Sequence, residues 1–133
     1  LSLHDALPIS GVVLAGVDDL TYHYRSINAQ SLIKKSLTNI PPSVTTILLS
    51  HSPLEIETAA KIGVDLMLCG HTHGGQLWPF GHLVKRRYPY FAGSYKVDNM
   101  TVIISRGTGT WGPKMRLWHP NEIVKIVLHQ LQQ

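Results

Sequence analysis

The sequence predicts a layered α/β domain, and three observations carry that prediction. Short aliphatic or β-branched runs alternate with stretches of helical period through the first two thirds of the chain. The later part changes to a hairpin pattern, so an antiparallel element joins the sheet. The length of 133 residues with 44% hydrophobic content is enough for one ordinary core.

The elements follow in order. The run "VVLAGV", residues 12–17, reads as a strand that stops at Asp18 and Asp19. Ile27 to Leu37 places apolar residues at 29, 32, 33 and 37, close to a helical period, with Ser26 as N-cap. "VTTILLS", residues 44–50, is a β-branched strand that ends at His51. "PLEIETAAKIG", residues 53–63, reads as a short helix with Pro53 near its start, acidic residues in the first turn and Gly63 at its end. "DLMLC", residues 65–69, is the next strand and delivers Gly70 and a histidine pair. "GSYKVDNMTVIISRG", residues 93–107, predicts a hairpin turning at Asp98 and Asn99, and "EIVKIVLHQ", residues 122–130, a closing strand. Residues 1–10 show neither a secretion-signal pattern nor a clear period, and they read as foreign to the domain or disordered. Residues 11–133 form the domain.

Composition restricts the function classes. No apolar run approaches the roughly 18 residues of a membrane-spanning helix. Cys69 is the one cysteine, so neither a disulfide framework nor a thiolate metal box is available. A balance of 12 Lys and Arg against 8 Asp and Glu favours anionic partners mildly. The "KRR" cluster at 85–87 reads as a solvated loop, and no specific nucleic-acid partner is expected.

Histidines at strand ends carry the chemistry. His51 follows one strand, and His71 follows another through Gly70. The crevice at the carboxyl ends of strands is the usual ligand site of α/β sheets, so these two ends are expected to converge. His73 joins them, because alternate side chains of an extended segment point the same way while Thr72 turns aside. Gly70, Gly74 and Gly75 leave room for tight turns and close approach. Three imidazoles at one place make a transition-metal site with a mechanism, since neutral imidazole binds without losing a proton. The remaining histidines, His4, His23, His82, His119 and His129, lack such context. Asp18 and Asp19 read as a cap or turn before they read as ligands.

"ILLSHSP" followed by "DLMLCGHTHGGQ" resembles the C-terminal half of the calcineurin-like metallophosphoesterases. "SRGTGTWGPKMRLWHPNEI" resembles the tail of their bacterial membrane-associated phosphodiesterase branch, and the resemblance runs from about Gly11 to Leu128. It implies part of a four-layer α/β/β/α sandwich, with residues 11–133 as the C-terminal part of that domain. It also implies that His51 and His71 share one metal while His73 serves its neighbour. Two divalent metals, manganese, iron or zinc, are implied for the complete enzyme. The implied reaction is attack by a metal-bridged hydroxide on a phosphodiester or pyrophosphate bond of a lipid or nucleotide-type substrate. Membrane or lipid association in a bacterium is implied through a preceding part. The family's earlier Asp-x-His, Gly-Asp-x-x-Asp and Asn-His elements are not matched here, so no catalytic residue is assigned and the chain alone is expected to be weak or inactive. A metallo-β-lactamase-type His-x-His continues with Asp-His, whereas this chain continues "GGQ". The remaining alternative is a non-catalytic, truncated or degenerate scaffold. Lys85, Arg86, Arg87, Arg106 and Lys114 are candidate phosphate contacts, and "RGTGTWG" a candidate source of backbone amides, each with a solvated charge or plain turn as its simpler meaning.

Overall fold

A computed structural model describes residues 7–9, 11–23 and 29–129. Within them the chain forms one six-stranded mixed sheet in the order β1-β2-β3-β4-β6-β5. The strands are β1 (Leu7–Ile9), β2 (Val12–Gly16), β3 (Thr45–Ser50), β4 (Leu66–Cys69), β5 (Gly93–Val97) and β6 (Met100–Ile104). β2, β3, β4 and β6 run parallel, while β1 and β5 pair antiparallel at the two edges. The α/β class therefore holds, with a single sheet among the described residues.

Strand alternation assigns the two faces of this sheet. Ala15, Leu48, Met67 and Val102 lie side by side in the register and are all buried. They form the core with Ile33 of α2 (Ala29–Ser36) and with Ile56 and Ala59 of α3 (Ile56–Ile62). The opposite face carries Leu14, Ile47, Leu49, Leu66, Leu68 and Ile103, and Leu49 is 40% exposed. That face belongs to no core cluster among the described residues.

The local signals act as their chemistry requires. α3 ends at Gly63, whose left-handed φ of 100° lets its N–H reach the Ala59 and Ala60 carbonyls. Glu57 sits in the first turn of α3, which begins three residues after Pro53. β5 and β6 form the expected hairpin, closed at Val97 and Met100 with Asp98 at φ 51°. Ser26, expected to cap α2, lies outside the described residues.

Two expectations are corrected. "EIVKIVLHQ" forms no strand: residues 121–129 have no regular structure, and Ile123 is 86% exposed. β-Propensity does not make a strand without a ladder partner, and β1 and β5 already occupy the sheet edges. The "KRR" cluster is the last turn of a helix, α4 (Phe80–Arg87), where cations complement the carbonyl end. Asp19 caps a short helix α1 (Leu20–His23), in keeping with the reading of Asp18 and Asp19 as a cap or turn.

Candidate metal centre

The site is built at the carboxyl ends of β3 and β4. Ser50 pairs with Cys69 in the parallel register, and the Gly70 N–H donates to the His51 carbonyl at 3.1 Å. The two strand ends are thereby locked one step past the sheet, and the side chains of His51 and His71 meet. His71 Nδ1 and His51 Nε2 are 3.0 Å apart, with the rings edge to face. The other nitrogen of His71, Nε2, lies 3.0 Å from the hydroxyl of Tyr88, which follows α4.

His71 and His73 line the same cleft, but not because the segment is extended. His71 has φ 66° and His73 φ 50°, and between them Thr72 is helical with φ −70°. The chain coils through left-handed steps into a short 3-10 turn, His73–Gly75, instead of alternating as a strand. Thr72 is buried and its hydroxyl donates to the Phe91 carbonyl at 2.7 Å. Gly75 has φ 78°, and a Cβ there would strike the Gly81 backbone at the start of α4. Gly74 is crossed by the Arg106 side chain, so both glycines serve close approach as well as turning.

Two residues that the sequence did not single out hold this turn against the loop at 107–116. Gln76 is buried; its amide nitrogen donates to the Trp111 carbonyl at 2.7 Å, and its amide oxygen accepts from the Trp111 N–H at 2.6 Å. Arg116 donates to the carbonyls of His73 at 3.1 Å, Arg106 at 2.8 Å and His119 at 3.3 Å, and also to Gly107 and Gly109. Its guanidinium also lies 3.4 Å from His73 Nδ1. Tyr88 was missed in the same way. The available signal was Gln76 directly after the two glycines, a buried-looking amide with many donors and acceptors to satisfy.

Burial and neighbouring charge favour the neutral form of His71 and His73. Burial lowers the pKa of His71, and the neighbouring His51 lowers it further. Burial also lowers His73, reinforced by the Arg116 charge. Asp19 lines the cleft beside them and accepts from the Thr21 N–H at 3.0 Å and hydroxyl at 2.8 Å, the geometry of an N-cap. Burial pushes Asp19 up, but the Thr21 hydrogen bonds and the facing histidines outweigh it and leave the carboxyl lowered.

The cleft, of about 640 Å³, is lined by Asp19, His51, His71, His73, Phe80 and Trp111 among others. Two nitrogens held cis on one transition metal at about 2.1 Å each lie roughly 3 Å apart, which matches the His51–His71 spacing. The spacing, with the neutral form favoured at His71, therefore fits one edge of a metal shell. Among the described residues no group of three His, Cys, Asp or Glu completes such a shell. The candidate phosphate contacts do not gather there. Arg106 is paired with Glu122 at 2.6 Å, and neither Lys85, Arg86 nor Lys114 lines the cleft. His82 and His129 are exposed, outside the cleft lining. His4 and the side chain of His23 lie outside the description.

Comparison with known proteins identifies the class. The chain is 38% identical over 127 residues to an uncharacterised metallophosphoesterase of Helicobacter pylori, covering 94% of this chain and 34% of that protein. It is 37% identical over 121 residues to a bovine transmembrane protein with a metallophosphoesterase domain, covering 88% of this chain and 27% of that protein. A UDP-2,3-diacylglucosamine pyrophosphatase of Chlamydia muridarum is 30% identical over 102 residues, 68% of this chain and 31% of that protein. The chain belongs to the calcineurin-like metallophosphoesterase family and spans about a third of the length of the first two relatives. No family model matches it, and no solved structure matches it.

Proposed function

We propose that this chain supplies the histidine face of a two-metal centre that hydrolyses a phosphoester, with His51 and His71 on one divalent ion and His73 on its neighbour. The observation that carries this reading is the 3.0 Å approach of His51 Nε2 and His71 Nδ1 at adjacent strand ends, with His73 in the same cleft. Manganese, iron and zinc all suit imidazole with carboxylate ligation, and such ions supply charge neutralisation and a nucleophile at neutral pH.

The chain's own residues hold and orient. Tyr88 pairs with His71 Nε2 and orients the ring so that Nδ1 faces His51 Nε2 before any ligand arrives. Arg116 and Gln76 fix the turn that carries His73, Arg116 chiefly through the His73 carbonyl at 3.1 Å. The cleft beside these residues accepts a substrate of phosphodiester or pyrophosphate type, of the lipid or nucleotide class. The lipid class draws support from the pyrophosphatase relative, and membrane association from the relative named as a transmembrane protein. We place the chain as the C-terminal part of the domain in the bacterial membrane-associated branch.

Equilibrium dialysis against zinc or manganese, followed by elemental analysis, tests the reading. Retained metal should fall on His51→Ala and on His71→Ala, and the chain alone should hydrolyse a generic phosphodiester poorly. Metal retention indifferent to both substitutions overturns the assignment. Robust manganese-dependent turnover by the 133-residue chain, lost on His71→Ala, would show a complete centre in the chain itself. A second reading, a non-catalytic scaffold, is favoured by the absence of a three-ligand group among the described residues; failure of a longer protein containing this chain to turn over phosphodiesters would establish it.

A further inference from the structure

The rim of the cleft has a composition that the metal chemistry does not use. Trp78, Phe80, Leu83, Trp111, Met115 and Trp118 are each more than half exposed. They include all three tryptophans of the protein. They are also clustered: Trp78 and Trp118 stack edge to face at 5.4 Å, Leu77 bridges to Leu117 and Trp118, and Gln76 ties Trp111 to the same turn. Phe80 and Trp111 border the cleft itself. Phe80 and Leu83 are three residues apart on α4, a helix with no buried residue, and so share one side of it. α4 touches the core only through the partly buried Val84, and the side that carries Phe80 and Leu83 stays exposed for another surface.

Charge accompanies this patch with one sign. From Leu66 to Asn121 the sequence holds seven Lys and Arg but a single acidic residue, Asp98, at the hairpin turn. Lys85 and Arg86 are exposed in the last turn of α4, and Lys114 is exposed in the loop beside Trp111. Tryptophan with its polar edge, long aliphatic residues and a surround of cations together fit the headgroup layer of an anionic bilayer. A surround of one sign complements an extended surface of uniform negative charge.

We infer that the rim formed by α4 and the 107–118 loop is a docking surface for an anionic lipid membrane, which seats the cleft mouth against the headgroups. Phe80, Leu83 and the tryptophans enter the interface while Lys85, Arg86 and Lys114 face lipid phosphates. The surface is distinct from the open sheet face around Leu49, and it works without metal, so its failure and that of the proposed hydrolysis are separable.

The test is sedimentation of the metal-free chain with vesicles of phosphatidylglycerol and phosphatidylcholine, or of phosphatidylcholine alone, with vesicle-free samples as reference. Binding is expected only with the anionic lipid, falling as salt rises, and weakened about tenfold or more by Phe80→Ser with Leu83→Ser and by Lys85→Glu with Arg86→Glu. Leu49→Ser on the open sheet face should leave binding unchanged. Tryptophan emission of the unsubstituted chain should shift to the blue and be quenched by bromine on the lipid tails, a readout that needs no variant to fold. The inference is overturned by absence of binding to anionic vesicles, by unquenched emission, by binding that only Leu49→Ser removes, or by lipid-free self-association that the α4 substitutions abolish.

Discussion

Tyr88 governs His71 more closely than any neighbour in sequence does. Its hydroxyl lies 3.0 Å from His71 Nε2, so Tyr88→Phe removes the hydrogen-bond partner that orients the imidazole while keeping the aromatic ring in place. Loss of such an orienting partner weakens a metal site by about 10- to 100-fold. Zinc titration of the Tyr88→Phe chain should show that loss with an unchanged circular dichroism spectrum; unchanged affinity would leave Tyr88 a packing residue only. Gly75 makes the complementary case for the backbone. Gly75→Ala must place a Cβ against Gly81 at a φ of 78°, so it should cost about 2 to 4 kcal/mol in a denaturant titration. His51, His71 and His73 were legible because strand-end position and glycine flanks are local marks. Tyr88, Gln76 and Arg116 were not, since they act across 17, 35 and 43 residues of chain, and no period encodes such contacts.

Elements were readable where a local signal and a tertiary demand agree. α3 has its acidic first turn and its Gly63 stop, and the hairpin has Asp98 and Asn99 at a two-residue turn. The 122–130 segment fails this criterion: its residues favour a strand, but the described sheet offers no partner, and Ile123, Val127 and Leu128 stay exposed. α4 fails in the other direction, because Gly81 and the aromatic start of the run gave no helical signal and its formation depends on Gly75 meeting Gly81. Truncation after Glu122 keeps the Arg106 ion pair and the Glu122 N–H to Gly107 bond, and among the described residues removes only exposed side chains. The denaturation free energy should therefore change by less than about 0.5 kcal/mol. A larger drop in urea titration would mean that the segment pairs in solution.

At the scale of the whole molecule, the described residues form a sheet whose core cluster lies on one side. Val102, Met67, Leu48 and Ala15 pack under α2 and α3, whereas Leu49, Leu68 and Ile103 on the reverse face remain at least partly accessible. Apolar strands with an open face associate, so the isolated chain should self-associate with rising concentration and melt at or below the mesophilic range of about 45 to 65 °C. Cys69 supplies an independent readout, because burial pushes its thiol up to about 12 and alkylation must wait for opening. Fast labelling without denaturant agrees with marginal stability, while a monomeric, cooperative transition well above that range contradicts it.

Arg116 holds its loop through the main-chain oxygens of Arg106, Gly107 and Gly109, and an oxygen of that kind is the same whatever residue bears it. Thr108, Gly109 and Thr110 can thus be exchanged in descendants of this chain with no loss of the bracing behind His73, provided the backbone path survives. Variation at the edge of the cleft is decoupled from conservation of its floor. A lineage can revise what it recognises at the rim while inheriting the chemistry beneath it unchanged.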